Sequence, residues 1–229
     1  MTTVALIGPD GAGKTTVARQ LPTLLPMRVR YLYMGVSADS SNVMLPTTRI
    51  ARRVKRALGA PPDTAGPPSH DPTRSRRRSL RGRAVGSVRA GLRLANRTAE
   101  EWYRQALAWR WQRDGSLVLF DRHFFIDYHA YDVAGDHDRS LSQRLHGLMV
   151  ARMPRPDLVV YLDAPAEVLL ARKGEGSIEA LEMRRAEYRA IAPLVPRFVE
   201  VDATRPADVV ARDVADRILE VAGSGDAAR

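Results

Sequence analysis

The chain has 229 residues, no cysteine and a net charge of +10 at pH 7. This length suits a single α/β domain with a full hydrophobic core. The absence of cysteine excludes disulfides and thiolate metal sites, and no apolar run reaches the roughly 20 residues of a membrane-spanning helix. Together with the lack of a signal-peptide pattern at the N-terminus, these features predict a cytoplasmic protein.

Apolar runs and helical patterns alternate along the chain. Strands are predicted at residues 4–7, 28–33, 116–120, 158–162 and 198–201. Helices are predicted at residues 14–25, 50–58, 80–113, 141–153, 165–172, 178–191 and 206–222. Pro22 is expected to kink or end the first of these helices. This order of elements predicts a parallel sheet with right-handed crossovers.

The positive charge lies in one part of the chain, residues 49–97, which we call the basic segment. It contains thirteen Arg and one Lys against two Asp, a net charge of +12 that leaves −2 for the rest of the chain. Within it, the run 59–72 is rich in Pro and Gly and is predicted to be a flexible loop. Because the whole chain has only three Lys, the richness in Arg also fits a coding bias. We therefore do not count it as evidence for nucleic acid.

The first predicted strand leads into Gly8-Pro9-Asp10-Gly11-Ala12-Gly13-Lys14-Thr15-Thr16, which has Walker A spacing. A strand before this stretch and a helix after it are the context that a phosphate-binding loop requires. Its glycines allow successive backbone N–H groups to converge on phosphate oxygens. Lys14 is then predicted to reach the β- and γ-phosphates, and the Thr15 hydroxyl to bind Mg²⁺. The alternative is a Gly-rich turn without a ligand.

Three later stretches accompany this loop: Phe120-Asp121-Arg122-His123, Tyr161-Leu162-Asp163-Ala164-Pro165 with Glu167 and Arg172, and Val201-Asp202-Ala203. With them, the chain resembles the P-loop nucleoside monophosphate kinases, and within these it looks most like the thymidylate kinase family. The likeness covers the first 35 residues and residues 115–222, but not residues 36–110. It implies a P-loop NTPase three-layer α/β/α sandwich with a five-stranded parallel sheet and a basic insert after the second strand.

The pattern as a whole predicts one kinase domain, residues 1–222, followed by a disordered tail, residues 223–229. Within the domain, residues 36–98 are expected to form a partly flexible basic insert on the acceptor side, and residues 173–180 a short lid. Some members of the family carry an arginine in the loop, where this chain has Gly11, and the others supply a cation from the lid. The candidate lid cations here are Lys173, Arg184 and Arg185.

The resemblance implies that the protein binds ATP and Mg²⁺. The residues implied to bind ATP are Gly8, Asp10, Gly11, Ala12, Gly13, Lys14, Thr15, Thr16, Arg172, Lys173, Asp202, Ala203 and Thr204. Thr15 and Asp121 are implied as Mg²⁺ ligands. Asp10, Asp121 and Arg122 are implied to hold the acceptor, since a guanidinium can hold two phosphate oxygens in its planar fork. The candidate catalytic residues are Lys14, Asp10, Asp121, Arg122 and Asp127.

The acceptor side departs from the family pattern. Thymidylate kinases carry an Arg-Glu-Pro-Gly-Gly-type stretch soon after the second strand, whereas residues 34–39 read Met-Gly-Val-Ser-Ala-Asp here, so thymine specificity is not implied. Asp127 either contacts or deprotonates an acceptor hydroxyl, or belongs to a run that packs under the sheet edge. His123 and His129 are expected to be polar wall residues, because no third metal ligand has suitable spacing.

These observations lead to three functional hypotheses. The first is a kinase that transfers the γ-phosphate of ATP to a nucleoside monophosphate or a closely related phosphate acceptor. The second is a kinase for a hydroxyl of a sugar, nucleoside or lipid-linked acceptor, with the basic segment contacting an anionic surface. The third is a nucleic-acid-binding P-loop switch, which the lack of Phe, Tyr and Trp in the basic segment disfavours. The apolar helix at residues 141–150 suits either a homodimer interface or the core.

Overall fold

The structure is a computed structural model that describes residues 2–35, 42–57, 80–129, 133, 141–174 and 176–226. The flexible loop predicted at residues 59–72 lies outside these ranges, as do large parts of the predicted insert at 36–98.

Five parallel strands form the central sheet. They are β1 (Thr3–Ile7), β2 (Val29–Tyr33), β3 (Leu117–Asp121), β4 (Leu158–Asp163) and β5 (Phe198–Asp202), in the spatial order β2-β3-β1-β4-β5. The register places Val4 of β1 beside Leu119 of β3 and Leu158 of β4. Every residue of β1, β3 and β4 is buried, because helices cover both faces of these three strands. The parallel α/β sheet predicted from the sequence is confirmed.

Eight α-helices lie in the described part of the chain. They are α1 (Lys14–Leu24), α2 (Pro46–Ala57), α3 (Leu80–Arg113), α4 (Phe124–Tyr128), α5 (Leu141–Ala151), α6 (Ala166–Lys173), α7 (Ile178–Arg189) and α8 (Ala207–Asp226). Helices α1 and α8 pack on one face of the sheet, and α3 and α5 on the other. The connection from β1 to β2 leads toward the β2 edge of the sheet. The connections from β2 to β3 and from β3 to β4 lead toward the β5 edge. Right-handed crossovers therefore place α1 on one face and α3 and α5 on the other.

Several helix ends differ from the prediction. Helix α1 runs through Pro22 to Leu24, because Pro22 lies in its last turn and the N–H of Leu25 still donates to the carbonyl of Leu21 at 3.1 Å. Helix α2 begins at Pro46 rather than at residue 50. Helix α8 continues past the predicted end at residue 222 to Asp226 and includes Gly223 and Gly225 in its last turn. None of the described helices is long and apolar enough to cross a membrane.

The outer edge of β2 is met by the side chain of Asn42. Its Oδ1 accepts a hydrogen bond from the N–H of Tyr33 at 3.0 Å, and its Nδ2 donates to the carbonyl of Tyr31 at 2.9 Å. The opposite edge of β2 pairs with β3. The amide of Asn42 thus occupies one donor and one acceptor on the edge that faces away from the sheet.

Candidate functional site

Glycines shape the loop between β1 and α1, residues 8–13, which we call the glycine loop. The backbone φ angle is +147° at Gly8, +90° at Gly11 and +85° at Gly13. A Cβ atom at Gly8 would collide with the carbonyl oxygen of Leu162, and one at Gly11 would lie 2.8 Å from the carbonyl oxygen of Leu169. The loop therefore packs against the end of β4 and against α6 too closely for any side chain at these two positions.

Lys14 is buried at the start of α1 and curls back over the glycine loop. Its Nζ donates hydrogen bonds to the carbonyl oxygens of Gly8 at 2.8 Å and of Pro9 at 2.7 Å. Burial, and after it the positive charge of Arg122, lowers the pKa of Lys14 to about 7. The charge state of this ammonium group is therefore sensitive to any anion that enters the loop.

Asp10 lies close to three cationic side chains at the mouth of the glycine loop. Its Oδ1 accepts a hydrogen bond from Arg122 Nη2 at 2.6 Å and lies 4.0 Å from Lys14 Nζ, and its Oδ2 lies 3.6 Å from Lys173 Nζ. Partial burial raises the pKa of Asp10, but the neighbouring cations outweigh this effect, so the pKa lies below its ordinary value. Three cationic side chains from α1, α6 and the end of β3 thus converge on one half-exposed carboxylate.

Asp121, at the carboxyl end of β3, is buried next to the first turn of α1. Its Oδ2 accepts hydrogen bonds from Thr15 Oγ1 at 3.1 Å and from the Tyr31 hydroxyl at 2.8 Å. The structure therefore brings together the two residues that the sequence nominates as Mg²⁺ ligands. Thr16 follows Thr15 in the same turn and is exposed.

Tyr31 is part of this arrangement, although the sequence does not single it out. Burial and the hydrogen bond to Asp121 raise its pKa above the ordinary value, so its hydroxyl stays protonated and donates. In the sequence, Tyr31 is simply one of the alternating residues of a strand. Its place on β2, next to β3 in the sheet, is the signal that could have identified it.

Arg122 is the one non-glycine residue with a positive φ angle in the described part of the chain, at +66°. Its N–H donates to the carbonyl of Leu6 at 3.0 Å, which holds this turn beside β1. A Cβ atom at Gly35 would lie 2.6 Å from the Arg122 Cδ, so the guanidinium reaches Asp10 over a position that only glycine leaves free. Left-handed backbone at a non-glycine residue is unfavourable and concentrates at functional sites.

Asp127, in the short helix α4, is buried with its Oδ1 lacking a hydrogen-bond partner. Burial raises its pKa, against the opposing effect of the cations of Arg122, Arg184 and Lys14. Helix α4, which carries this carboxyl group, was not predicted from the sequence. Arg122 is the cation with the largest effect on the carboxyl group. Both interpretations of Asp127, an acceptor contact and a packed residue, agree with its burial.

His123 is fully buried, and neither of its ring nitrogens has a hydrogen-bond partner. Burial, and to a smaller extent Arg155, lowers its pKa to about 3, so the ring is neutral. The ring packs edge-on against Phe120, with 5.2 Å between centroids. In the described ranges, no cluster of three or more His, Cys, Asp or Glu could hold a metal ion.

Arg172 contacts the turn after β5. Its Nη1 donates to the carbonyl of Ala203 at 2.7 Å and its Nη2 to that of Thr204 at 3.2 Å. Asp202 stabilises the same turn by accepting from the N–H of Thr204 at 2.8 Å and from its hydroxyl at 2.6 Å. Four of the residues implied to bind ATP thus lie together, and the Arg172 guanidinium donates to the turn after β5.

The three candidate lid cations have different environments. Lys173 ends α6 and lies near Asp10. Arg184 pairs with Glu187 at 2.9 Å. Arg185 donates to both carboxylate oxygens of Asp163, at 2.8 and 2.6 Å, which fixes α7 to the end of β4.

The predicted lid, residues 173–180, is a short connection between α6 and the first turn of α7. Gly174 and Gly176 have φ angles of +69° and +89°, and the Ser177 hydroxyl accepts from the N–H of Ala180 at 3.2 Å to cap α7. Of the lid candidates, the structure places Lys173 at the glycine loop.

A cavity of about 710 Å³ is lined by Asp10, Lys14, Asp121 and Arg122. Its walls come from the glycine loop, the exposed side of α1, the end of β2 and the Asp121-Arg122 turn, together with Lys173. The carboxyl ends of parallel strands are the usual place for a ligand in open α/β sheets. No protein-family model matches the chain.

Proposed function

We propose that this protein is an ATP- and Mg²⁺-dependent kinase of the P-loop type. In this proposal the γ-phosphate of ATP passes to a nucleoside monophosphate, as in thymidylate kinases, or to a closely related phosphate acceptor. The observation that carries the proposal is the convergence of Lys14, Arg122 and Lys173 on the mouth of the glycine loop. Such a constellation suits phosphoryl transfer, which depends on positioning and charge neutralisation.

The glycine loop and α1 supply the donor site. The N–H groups of the loop and the positive end of the α1 dipole are suited to the β-phosphate, and Lys14 to the bridge between β- and γ-phosphates. The carbonyls of Gly8 and Pro9 hold Lys14 Nζ at the glycine loop, which supports this role. A bound phosphate favours the ammonium form, so ATP raises the pKa of Lys14 from its value of about 7.

The donor set of Thr15 and Asp121 fits Mg²⁺. This ion takes oxygen ligands and is commonly held by one or two carboxylates together with substrate phosphates. A hydroxyl and a carboxylate oxygen 3.1 Å apart provide two such oxygens. When bound, Mg²⁺ would neutralise charge on the β- and γ-phosphates. The Tyr31 hydroxyl, by donating to Asp121, fixes the direction of the carboxylate.

Arg122 and Asp10 form the acceptor side of the proposal. The guanidinium of Arg122 is held 2.6 Å from Asp10 and lines the cavity, where its planar fork can bind an acceptor phosphate. The acceptor oxygen of a phosphate is already anionic near neutral pH, so its attack needs no general base. Lys173 lies where it can neutralise charge on the transferred group.

Asp127 supports a second candidate, a kinase for a hydroxyl acceptor. Its buried Oδ1 has no partner, and burial raises its pKa toward the range in which a carboxylate acts as a general base. In this alternative Asp127 accepts the hydroxyl proton while Arg122 and Lys173 neutralise the transferred group. Asp10, which lines the cavity, is the other candidate base for a hydroxyl acceptor.

The proposal is tested by ADP release from ATP and Mg²⁺ with a panel of nucleoside monophosphates, nucleosides, sugars and sugar phosphates. Thr15→Ala and Thr23→Ala form a matched pair, because both remove a hydroxyl from α1 but only Thr15 contacts Asp121. We expect one monophosphate to stimulate turnover, with kcat reduced about 100-fold in Thr15→Ala and unchanged in Thr23→Ala.

Two other results would redirect or refute the proposal. Stimulation by non-phosphorylated acceptors alone, with loss of activity in Asp127→Asn, favours the hydroxyl acceptor. No ADP release with any acceptor, although ATP binds, contradicts both kinase hypotheses.

A further inference from the structure

Two apolar side chains of α2 face solvent. Ile50 is 61% exposed, and Ala57 is exposed as well. At about 100° per residue, Ala57 lies within about 20° of Ile50 around the helix axis, so the two residues share one side. An amphipathic helix of a globular protein ordinarily buries this side against the core. In α2, Ile50 and Ala57 face solvent instead.

The polar side of α2 holds it to the rest of the protein. The carboxylate of Glu100 in α3 accepts hydrogen bonds from the N–H of Leu45 at 3.0 Å and from the Thr48 hydroxyl at 3.1 Å. Thr48 stands about 160° from Ile50 around the helix axis. Glu100 is itself fixed by Arg104 Nη2 at 3.2 Å. The outward orientation of Ile50 therefore follows from the contacts that anchor the start of the helix.

Positive charge borders the exposed apolar side. The sequence of α2 contains five cationic residues and no acidic one. Arg49 and Arg53 are exposed, and they stand about 100° and 60° from Ile50 on the same flank. An apolar strip bordered by arginine is the pattern of helices that lie in the interface of anionic membranes. Arginine stems can remain near apolar groups while their guanidinium groups reach lipid phosphates.

We propose that α2 docks the protein on an anionic lipid surface. Ile50 and Ala57 enter the headgroup region, while Arg49 and Arg53 contact lipid phosphates. Charge complementarity favours this partner, because the basic segment that begins in α2 has a net charge of +12. A nucleic acid would use the cations but not the exposed Ile50, and the basic segment has no Phe, Tyr or Trp on which a base could stack.

The test is sedimentation of the full chain with vesicles of phosphatidylcholine alone and of phosphatidylcholine mixed with phosphatidylserine. Ile50→Asp is compared with Met183→Asp, which places the same charge on a side chain of α7 that is 63% exposed. Arg53→Gln is compared with Arg212→Gln in α8, whose side chain is also 63% exposed. Thermal unfolding of each variant verifies that it folds.

We expect the wild-type chain to bind mixed vesicles and not vesicles of phosphatidylcholine alone. Ile50→Asp should lower the partition coefficient by about tenfold, because an apolar side chain no longer enters the interface. Arg53→Gln should lower it by about fivefold, an effect that weakens at high salt. The two control variants should bind like the wild type.

The proposal fails if mixed vesicles are not bound or if Ile50→Asp binds as well as Met183→Asp. RNA binding that depends on Arg53 but not on Ile50 would assign the surface to a nucleic acid and overturn the lipid contact. Vesicle binding requires neither ATP nor turnover, so Lys14→Ala should bind like the wild type. The outcome is therefore independent of the proposed kinase activity.

Discussion

At the scale of single residues, the candidate site depends on side chains that orient other side chains. Arg122 reaches Asp10 because its backbone adopts a left-handed angle and Gly35 leaves room for its stem. Asp121 faces α1 because two hydroxyl groups donate to the same carboxylate oxygen. Neither the left-handed angle nor the shared oxygen has a pattern in the sequence, because both arise from neighbours on other strands and on α1.

Removing the hydroxyl of Tyr31 should weaken metal-dependent binding of nucleotide. Tyr31→Phe keeps the ring but loses the 2.8 Å hydrogen bond to Asp121, so the carboxylate is less well oriented. We expect the affinity for ATP to fall about tenfold with Mg²⁺ and to be unchanged with EDTA, by isothermal titration calorimetry. Tyr103→Phe, an exposed tyrosine of α3, is the control. An equal loss of affinity with and without Mg²⁺ would contradict a positioning role for Tyr31.

The burial of Lys14 predicts a particular dependence of stability on pH. Its pKa is lowered from 10.5 to about 7 on folding, so between these values the unfolded chain binds more protons than the folded one. This difference makes the free energy of unfolding rise with pH in that window, by about 2 kcal/mol between pH 7 and pH 9. Lys14→Met should lack this contribution.

Urea denaturation of both proteins at pH 7, 8 and 9 measures the effect. The difference in unfolding free energy, wild type minus Lys14→Met, should increase steadily over these three values. A difference that is constant with pH would show that Lys14 keeps its ordinary pKa. Saturating ATP and Mg²⁺ should reduce the slope, because a bound phosphate favours the ammonium form.

At the scale of elements, the glycine loop is confined between α1, the end of β4 and α6. A comparison of Gly11→Ala with Gly115→Ala distinguishes the steric cost of a Cβ atom in the packed loop from the cost of a positive φ angle. Both glycines have positive φ angles, +90° and +76°, but a Cβ atom at Gly11 would lie 2.8 Å from the Leu169 carbonyl, whereas Gly115 has open space. We expect losses of about 1 kcal/mol for Gly115→Ala and about 3 kcal/mol for Gly11→Ala, by urea denaturation. Equal losses would mean that α6 yields to the new methyl group.

The connection between α6 and α7 predicts different effects for two lid cations. Lys173→Ala should reduce turnover without a large change in thermal stability, because Lys173 is partly exposed and lies near Asp10. Arg185→Ala should instead lower the melting temperature, because its side chain is 14% exposed and joins α7 to Asp163. Thermal unfolding and ADP release are measured for both variants. If Arg185→Ala were stable but inactive, Arg185 rather than Lys173 would be the lid cation.

Whether helix α5 belongs to the core or to an interface could not be predicted from its sequence. It buries His146, Gly147 and Val150 against the rest of the protein. Its exposed apolar side chains are Leu141, Leu145, Leu148 and Met149. The same apolar composition suits a core helix and an interface helix, since periodicity does not identify what covers a face. The homodimer interface considered for this helix stays a prediction.

At the scale of the whole molecule, the sheet was predictable because β1, β3 and β4 are buried on both faces and are therefore continuous apolar runs. Helix α4 was missed because its five residues are too few to show helical periodicity. The outward side of α2 could not be predicted, because it depends on the contact of Glu100 with Thr48. Local sequence thus predicted the strands, most of the helices and the glycine loop, whereas tertiary contacts decided the orientation of the side chains in the site.

The side chain of Asn42 has a consequence for the behaviour of the protein in concentrated solution. Edge strands expose N–H and C=O groups on which a strand of another molecule can form, which is a route to aggregation. The side-chain amide of Asn42 bonds to the outward C=O of Tyr31 and the outward N–H of Tyr33, as the backbone of a neighbouring strand would. Asn42→Ala would uncover both groups next to the candidate site. A single amide thus covers two of the groups through which a strand of another molecule could pair with this edge.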